Sequence, residues 1–112
     1  MSFTMRQEVV SGHPLLIIEG RIDTNAVPVM ESKVTKLLAE GHKKILIDFG
    51  RIAYLSSSGM RLLLSVTKKL KGQGGELLLY AIHDEVYEII KLAGFEKILS
   101  IYTDKKAAIA AL

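Results

Sequence analysis

Three short apolar runs restrict the fold more than anything else in this chain: Leu15-Leu16-Ile17-Ile18, Ile45-Leu46-Ile47 and Leu77-Leu78-Leu79. None alternates with polar residues, so each reads as a strand covered on both faces, as parallel strands are. Parallel neighbours need crossovers of a dozen or more residues, usually helical. The intervening segments supply them. Val27, Met30, Val34, Leu37 and Leu38 recur at helical spacing before Gly41, and a second helical pattern runs from about Ser58 to Lys71. In that second segment Gly59, Leu63, Val66, Thr67 and Leu70 point one way, and Arg61, Ser65, Lys68, Lys69 and Gly72 the other.

The remaining elements fit around these. Residues 3–10 read as a weak edge strand joined by the turn cluster Ser11-Gly12-His13-Pro14 to residues 15–19, a connection short enough only for a hairpin. Gly20 is expected to stop that strand, and Asp23, Thr24 and Asn25 to cap the helix that follows. The second apolar strand is expected over 44–49 and the third over 76–82. Asp84 is then read as the cap of a short helix with Val86, Ile89, Ile90 and Ala93 on its inner face. A strand over 98–102 and a helix opened by Thr103-Asp104 complete the order β-β-α-β-α-β-α-β-α. This is an α/β domain with a mainly parallel, mixed sheet, an N-terminal hairpin and about four helices. No linker, repeat or low-complexity stretch interrupts the 112 residues.

Bulk properties narrow the function. The chain has 49% hydrophobic and 24% charged residues, a globular balance, and no cysteine to form disulfides or thiolate metal sites. No apolar run approaches the roughly 20 residues that span a bilayer, and the first residues lack a signal pattern. A cytoplasmic protein with no membrane or cofactor requirement is expected. The net charge of +3 comes from small separate groups, Lys43-Lys44, Lys68-Lys69-Lys71 and Lys105-Lys106. With no tryptophan and no aromatic interleaved among them, nucleic acid has no stacking platform.

The chemistry concentrates in Tyr54-Leu55-Ser56-Ser57-Ser58-Gly59-Met60-Arg61, where a strand gives way to a helix. Helix starts leave N–H groups without intrahelical partners and carry partial positive charge. A serine there can cap the helix, attack as a nucleophile or carry a phosphate. Catalysis is disfavoured. The Gly-x-Ser-x-Gly elbow is missing, and His13, His42 and His83 lie in turns with neither an orienting acid nor metal-ligand spacing nearby in sequence. Asp23 and Asp48 could form a carboxylate pair near the loop, with Asp48 otherwise a structural charge at a strand end.

Leu55-Ser56-Ser57-Ser58-Gly59-Met60 after a hydrophobic strand resembles the signature of bacterial anti-sigma factor antagonists, members of the STAS domain family. Gly20-Arg21-Ile22-Asp23, Gly74-Gly75-Glu76-Leu77 and Leu92-Ala93-Gly94-Phe95 resemble further stretches of that family in the same order, so residues 1–112 read as one such domain. The resemblance implies a non-enzymatic partner switch. Such a protein binds an anti-sigma factor that is also a serine kinase, releases a sigma factor, and is switched off by phosphorylation. The motif's phosphoacceptor maps to Ser58, with Ser57 and Ser56 as alternatives, and Ser56 stands where the family's motif usually has aspartate. A serine phosphatase acting on the modified form is implied as a second partner. Partner binding is expected at Asp23, Ser57, Ser58 and Gly59 of the motif stretches and, from the helical wheel, at Arg61, Leu62 and Ser65. Because Ser58, Leu62, Ser65 and Lys69 share a helical face with Arg61 adjacent, Leu62 reads either as an exposed member of a docking stripe or as a core residue at the boundary. A scaffold subunit of a larger signalling assembly and an accessory subunit of a membrane transporter are the alternative roles.

Overall fold

A computed structural model of the chain describes residues 3–112. The strands β1 (Phe3–Val10), β2 (His13–Ile22), β3 (Lys44–Leu55), β4 (Glu76–Tyr80) and β5 (Ser100–Tyr102) form one sheet in the order β1-β2-β3-β4-β5. β1 pairs antiparallel with β2, and every later pair is parallel. The helices are α1 (Val27–Ala39), α2 (Ser57–Gly72), α3 (Asp84–Leu92) and α4 (Lys105–Ala110).

Both faces of the central strands are covered, which explains the absence of polar alternation. Side chains alternate across a strand. Leu16, Ile18, Ile45, Ile47, Phe49, Leu77 and Leu79 therefore pack in one cluster with Met30, Val34 and Leu37 of α1, Leu63, Val66 and Leu70 of α2, and Val86 and Ile90 of α3. The intervening Leu15, Leu46, Leu78 and Tyr80 meet Ala108 of α4 on the other face.

Several boundaries differ from the sequence reading. Gly20 does not stop β2; the strand runs on to Ile22, paired with a β3 that continues past Phe49 to Leu55. The pairing steps from Ile17–Asp48 to Glu19–Arg51, and again from Gly20–Ile52 to Arg21–Tyr54, so β3 carries an extra residue at each irregularity. Such bulges keep two strands paired while bending them, and no periodicity reveals them. The first is braced by Asp48, whose Oδ1 accepts from the Gly50 N–H at 2.8 Å. β4 ends at Tyr80 because Ala81 takes the left-handed conformation at φ 61°.

Cap assignments shift as well. α1 starts after Ala26 with no side-chain cap. Asp23 instead closes the preceding turn, its Oδ1 accepting from Asn25 N (3.0 Å) and Ala26 N (3.1 Å). His83, not Asp84, holds the N-cap position of α3, while Asp84 and Glu85 fill its first turn, where the dipole favours acids. Ala93 lies beyond that helix and is exposed. The last strand starts at Ser100 rather than 98 because Ile98 N and Leu99 N turn back to the Phe95 carbonyl at 3.1 Å.

Candidate functional site

The serine segment lies directly on the end of the parallel pair. Ile22 and Leu55 are register partners, and Ser56 N donates to the Ile22 carbonyl at 2.8 Å. The loop between strand and helix therefore shrinks to Ser56 alone. Its backbone is extended at φ −76°, ψ 164°, and its Oγ accepts from Gly59 N at 3.0 Å, while its carbonyl accepts from Met60 N at 2.9 Å. Ser56 is thus the N-cap, the role open to a serine at that place, and it is buried.

The next two serines differ in exposure. Ser57 is exposed, and Ser58 is half-buried with its Oγ 3.0 Å from Ser56 Oγ. Ser58 stands in the first turn of a 16-residue helix whose first turn contains no acid. The unpaired N–H groups and the dipole at this end favour an anion. Arg61, one turn on, is exposed, as is Ser65.

Two of the residues expected to bind a partner are interior. Leu62 is 8% exposed and belongs to the same cluster as Leu63 and Val66, which corrects its placement in an exposed docking stripe and leaves the core reading. With α2 resting on strands and flanked by α1, its apolar sector is wide enough to include position 62. Gly59 is buried too, and a Cβ there would lie 2.7 Å from Ile22 Cγ2 and 3.0 Å from Leu55 Cδ1. Its place in the motif follows from close packing of the helix start on the strand ends.

Asp23 follows Ile22 and so borders the serine segment, half-buried, with one carboxylate oxygen committed to its own turn. Asp48 is not its partner. It lies level with Ile17 while Leu55 lies level with Ile22, so about 15 Å of strand separates the two regions. Asp48 instead faces its register partner Tyr80, whose buried hydroxyl lacks a hydrogen-bond partner among the described residues. Burial, and then the negative charge of Asp48, pushes the Tyr80 pKa up to about 12. Among the described residues no group of three or more His, Cys, Asp or Glu could hold a metal ion. His42 sits 3.7 Å from Glu40, and His83 Nε2 is 2.6 Å from the Gly50 carbonyl, which ties the start of α3 to the β3 bulge.

Sequence reasoning missed one pair. Arg21 and Tyr54 are register partners beside the serine segment, with the guanidinium 4.2 Å from the ring centroid. Cation–π contacts of this kind contribute about 0.5–1 kcal/mol when exposed. Finding the pair needed the register past both bulges, which the residues alone do not reveal.

A five-stranded mixed sheet of this order with four helices is the architecture of the STAS domain, and the family's model matches residues 4–108; the chain belongs to the STAS domain family. Within that family it is similar to BtrV of Bordetella bronchiseptica, a protein named for an anti-sigma factor antagonist. The two are 29% identical over 111 residues, covering 99% of this chain and 94% of that one. An anti-sigma factor antagonist from Mycobacterium paratuberculosis has the same fold, with a TM-score of 0.89 at 24% identity over 98% of this chain and 93% of the other. The Bacillus cell fate determinant SpoIIAA, solved in its phosphorylated form, has a TM-score of 0.73 at 20% identity, covering 99% of this chain and all of that one (100%). No helix among the described residues is long and apolar enough to cross a membrane.

Proposed function

We propose that this chain is an anti-sigma factor antagonist that acts as a non-enzymatic partner switch in the cytoplasm. It binds an anti-sigma factor with serine kinase activity at the start of α2, and phosphorylation of Ser58 turns that binding off. A phosphatase restores the binding form. The observation that carries this reading is Ser58 itself: a half-buried residue in the first turn of a long helix, a turn that contains no acid.

The hydrogen-bond inventory supports a reversible modification there. A serine hydroxyl has one donor and two acceptor positions. Ser56 Oγ uses one acceptor position for Gly59 N and lies 3.0 Å from Ser58 Oγ, where either hydroxyl could be the donor. Once Ser58 is esterified its Oγ can only accept, and Ser56 can donate to it without giving up the cap. A phosphate adds about −1.5 to −2 charges and strong acceptor oxygens. The helix start tolerates that charge, while a partner packed on the same spot loses affinity through repulsion and desolvation. The fold and the interface thus respond separately to the same group.

Incubation with the candidate kinase and ATP, followed by peptide mass mapping, tests the reading. Phosphate on Ser58 is expected, with Ser58→Ala folded, unphosphorylated and constitutively bound. Phosphate on Ser57 or Ser56 instead moves the switch by a residue or two. No phosphate on any of the three, with binding indifferent to ATP, refutes the switch and leaves a scaffold or transporter-accessory role.

A further inference from the structure

The charge of this protein is unevenly distributed over its helical layer. The α2 sequence, SSGMRLLLSVTKKLKG, carries four cations and no acid. Arg61, Lys68 and Lys69, with Leu64 and Ser65, line a groove of about 460 Å³ along it. On α1, packed on the same face of the sheet, Lys33 and Lys36 line a second groove of about 540 Å³ beside Pro28 and Val29. No acidic side chain lines either groove. The ion pairs among the described residues are Arg6–Glu8 and Glu40–His42, so none of these five cations is neutralised by a carboxylate at ion-pair distance.

From this we infer that the α1–α2 face is a docking surface for an acidic, amphipathic protein segment, which follows α2 from the serine segment toward its C-terminal half. The inference rests on the proposed partner switch and names the chemistry its partner must present. Apolar groups accompany the cations: Val29 is 50% exposed and Leu64 half-buried. A polypeptide with carboxylates flanking an apolar side chain satisfies both. A nucleic-acid backbone offers nothing to Val29 and Leu64, and no aromatic residue lines either groove for a base to stack on. Surface charge of one sign acts mainly on association, raising on-rates by about 10–1,000-fold at low salt. A phosphate on Ser58 would offset nearly half of the four positive charges on α2, so the modification slows encounter as well as spoiling contact.

The test is the charge reversal Lys68→Glu with Lys69→Glu, at exposed positions more than two turns from Ser58. Stopped-flow association with the anti-sigma partner is followed against ionic strength. In the natural chain kon should fall steeply with salt; in the variant it should start about tenfold lower and lose most of the salt slope, with koff nearly unchanged. A kon that ignores both the reversal and salt overturns the inference. A probe independent of that partner is a helical peptide with Glu and Leu at helical spacing, titrated against the isotope-labelled chain. Amide shifts should map to α2 and α1 and vanish in the variant. Unmoved α2 amides overturn the inference, as would preferential binding of duplex DNA or anionic vesicles at physiological salt. Binding of the peptide to this face with no binding of the kinase refutes the proposed function and leaves the surface assignment standing.

Discussion

Gly59→Ala is the substitution in which general expectation and this structure disagree most sharply. Inside an exposed helix, replacing glycine by alanine stabilises by about 0.5–1 kcal/mol, because alanine loses less backbone freedom on folding. At position 59 the new methyl carbon would lie 2.7 Å from Ile22 Cγ2 and 3.0 Å from Leu55 Cδ1. Both neighbours are fully buried, at 0% and 1% exposure. Ile22 cannot swing aside, since a β-branched side chain is stiff at χ1, so the helix start must move off the strands. Overpacking of this kind costs about 1–3 kcal/mol. Set against the propensity gain, the net loss is about 1–2 kcal/mol, or roughly 4–8 °C in Tm for a domain of this size. Denaturant and thermal melts measure it. A double-mutant cycle with Ile22→Ala isolates the cause: with Cγ2 removed, Gly59→Ala should become neutral or stabilising, a coupling of about 1–3 kcal/mol. A Gly59→Ala chain as stable as the natural one, or an additive cycle, would refute the packing explanation of this motif glycine.

Three further outcomes follow from the same packing. Leu62→Ala should cost about 2–4 kcal/mol in denaturant melts, as a core leucine does; an unchanged midpoint would return Leu62 to the surface. Gly75→Ala should largely prevent folding, because its Cβ would fall 1.8 Å from the Lys43 carbonyl oxygen, a backbone atom held by the Glu76 N–H at 2.8 Å; circular dichroism of a folded variant would contradict this. Tyr80 and Tyr102 both have pKa values raised from 10.0 to about 12, first by burial and then by Asp48 for Tyr80 and by the 2.6 Å bond to Glu76 for Tyr102. The folded state holds these protons more tightly than the unfolded chain. The associated stability is therefore complete below pH 10 and lost as pH rises through about 12. Tyr80→Phe, which removes a buried hydroxyl without a partner, should match or exceed the natural chain at pH 7 and show a shallower alkaline loss; an equally steep loss would place the titration elsewhere.

Much of this protein is legible in its residues. Runs without polar alternation at 15–18, 45–47 and 77–79 demand cover on both faces, and the sheet has it, with α1, α2 and α3 on one side and α4 on the other. The spacing of Met30, Val34 and Leu37, and of Leu63, Val66 and Leu70, set the buried sides of the two long helices. That one serine of the 56–58 run can cap α2 follows from their place before a helical pattern, whereas the bond from Gly59 N picks out Ser56. These are local properties, decided by neighbours within a turn or along one strand. Tertiary structure decided the rest. The added length of β3 and the meeting of Arg21 with Tyr54 depend on two register irregularities between strands far apart in sequence. Leu62 lies at the margin of its helix's apolar sector, where a wheel alone leaves its exposure open; the strands and helix around it enclose the residue. The fit of Gly59 against Ile22 and Leu55 likewise exists only once helix and strand ends are in contact. Periodicity reports which way a side chain points, whereas burial and close approach depend on what another segment brings to meet it.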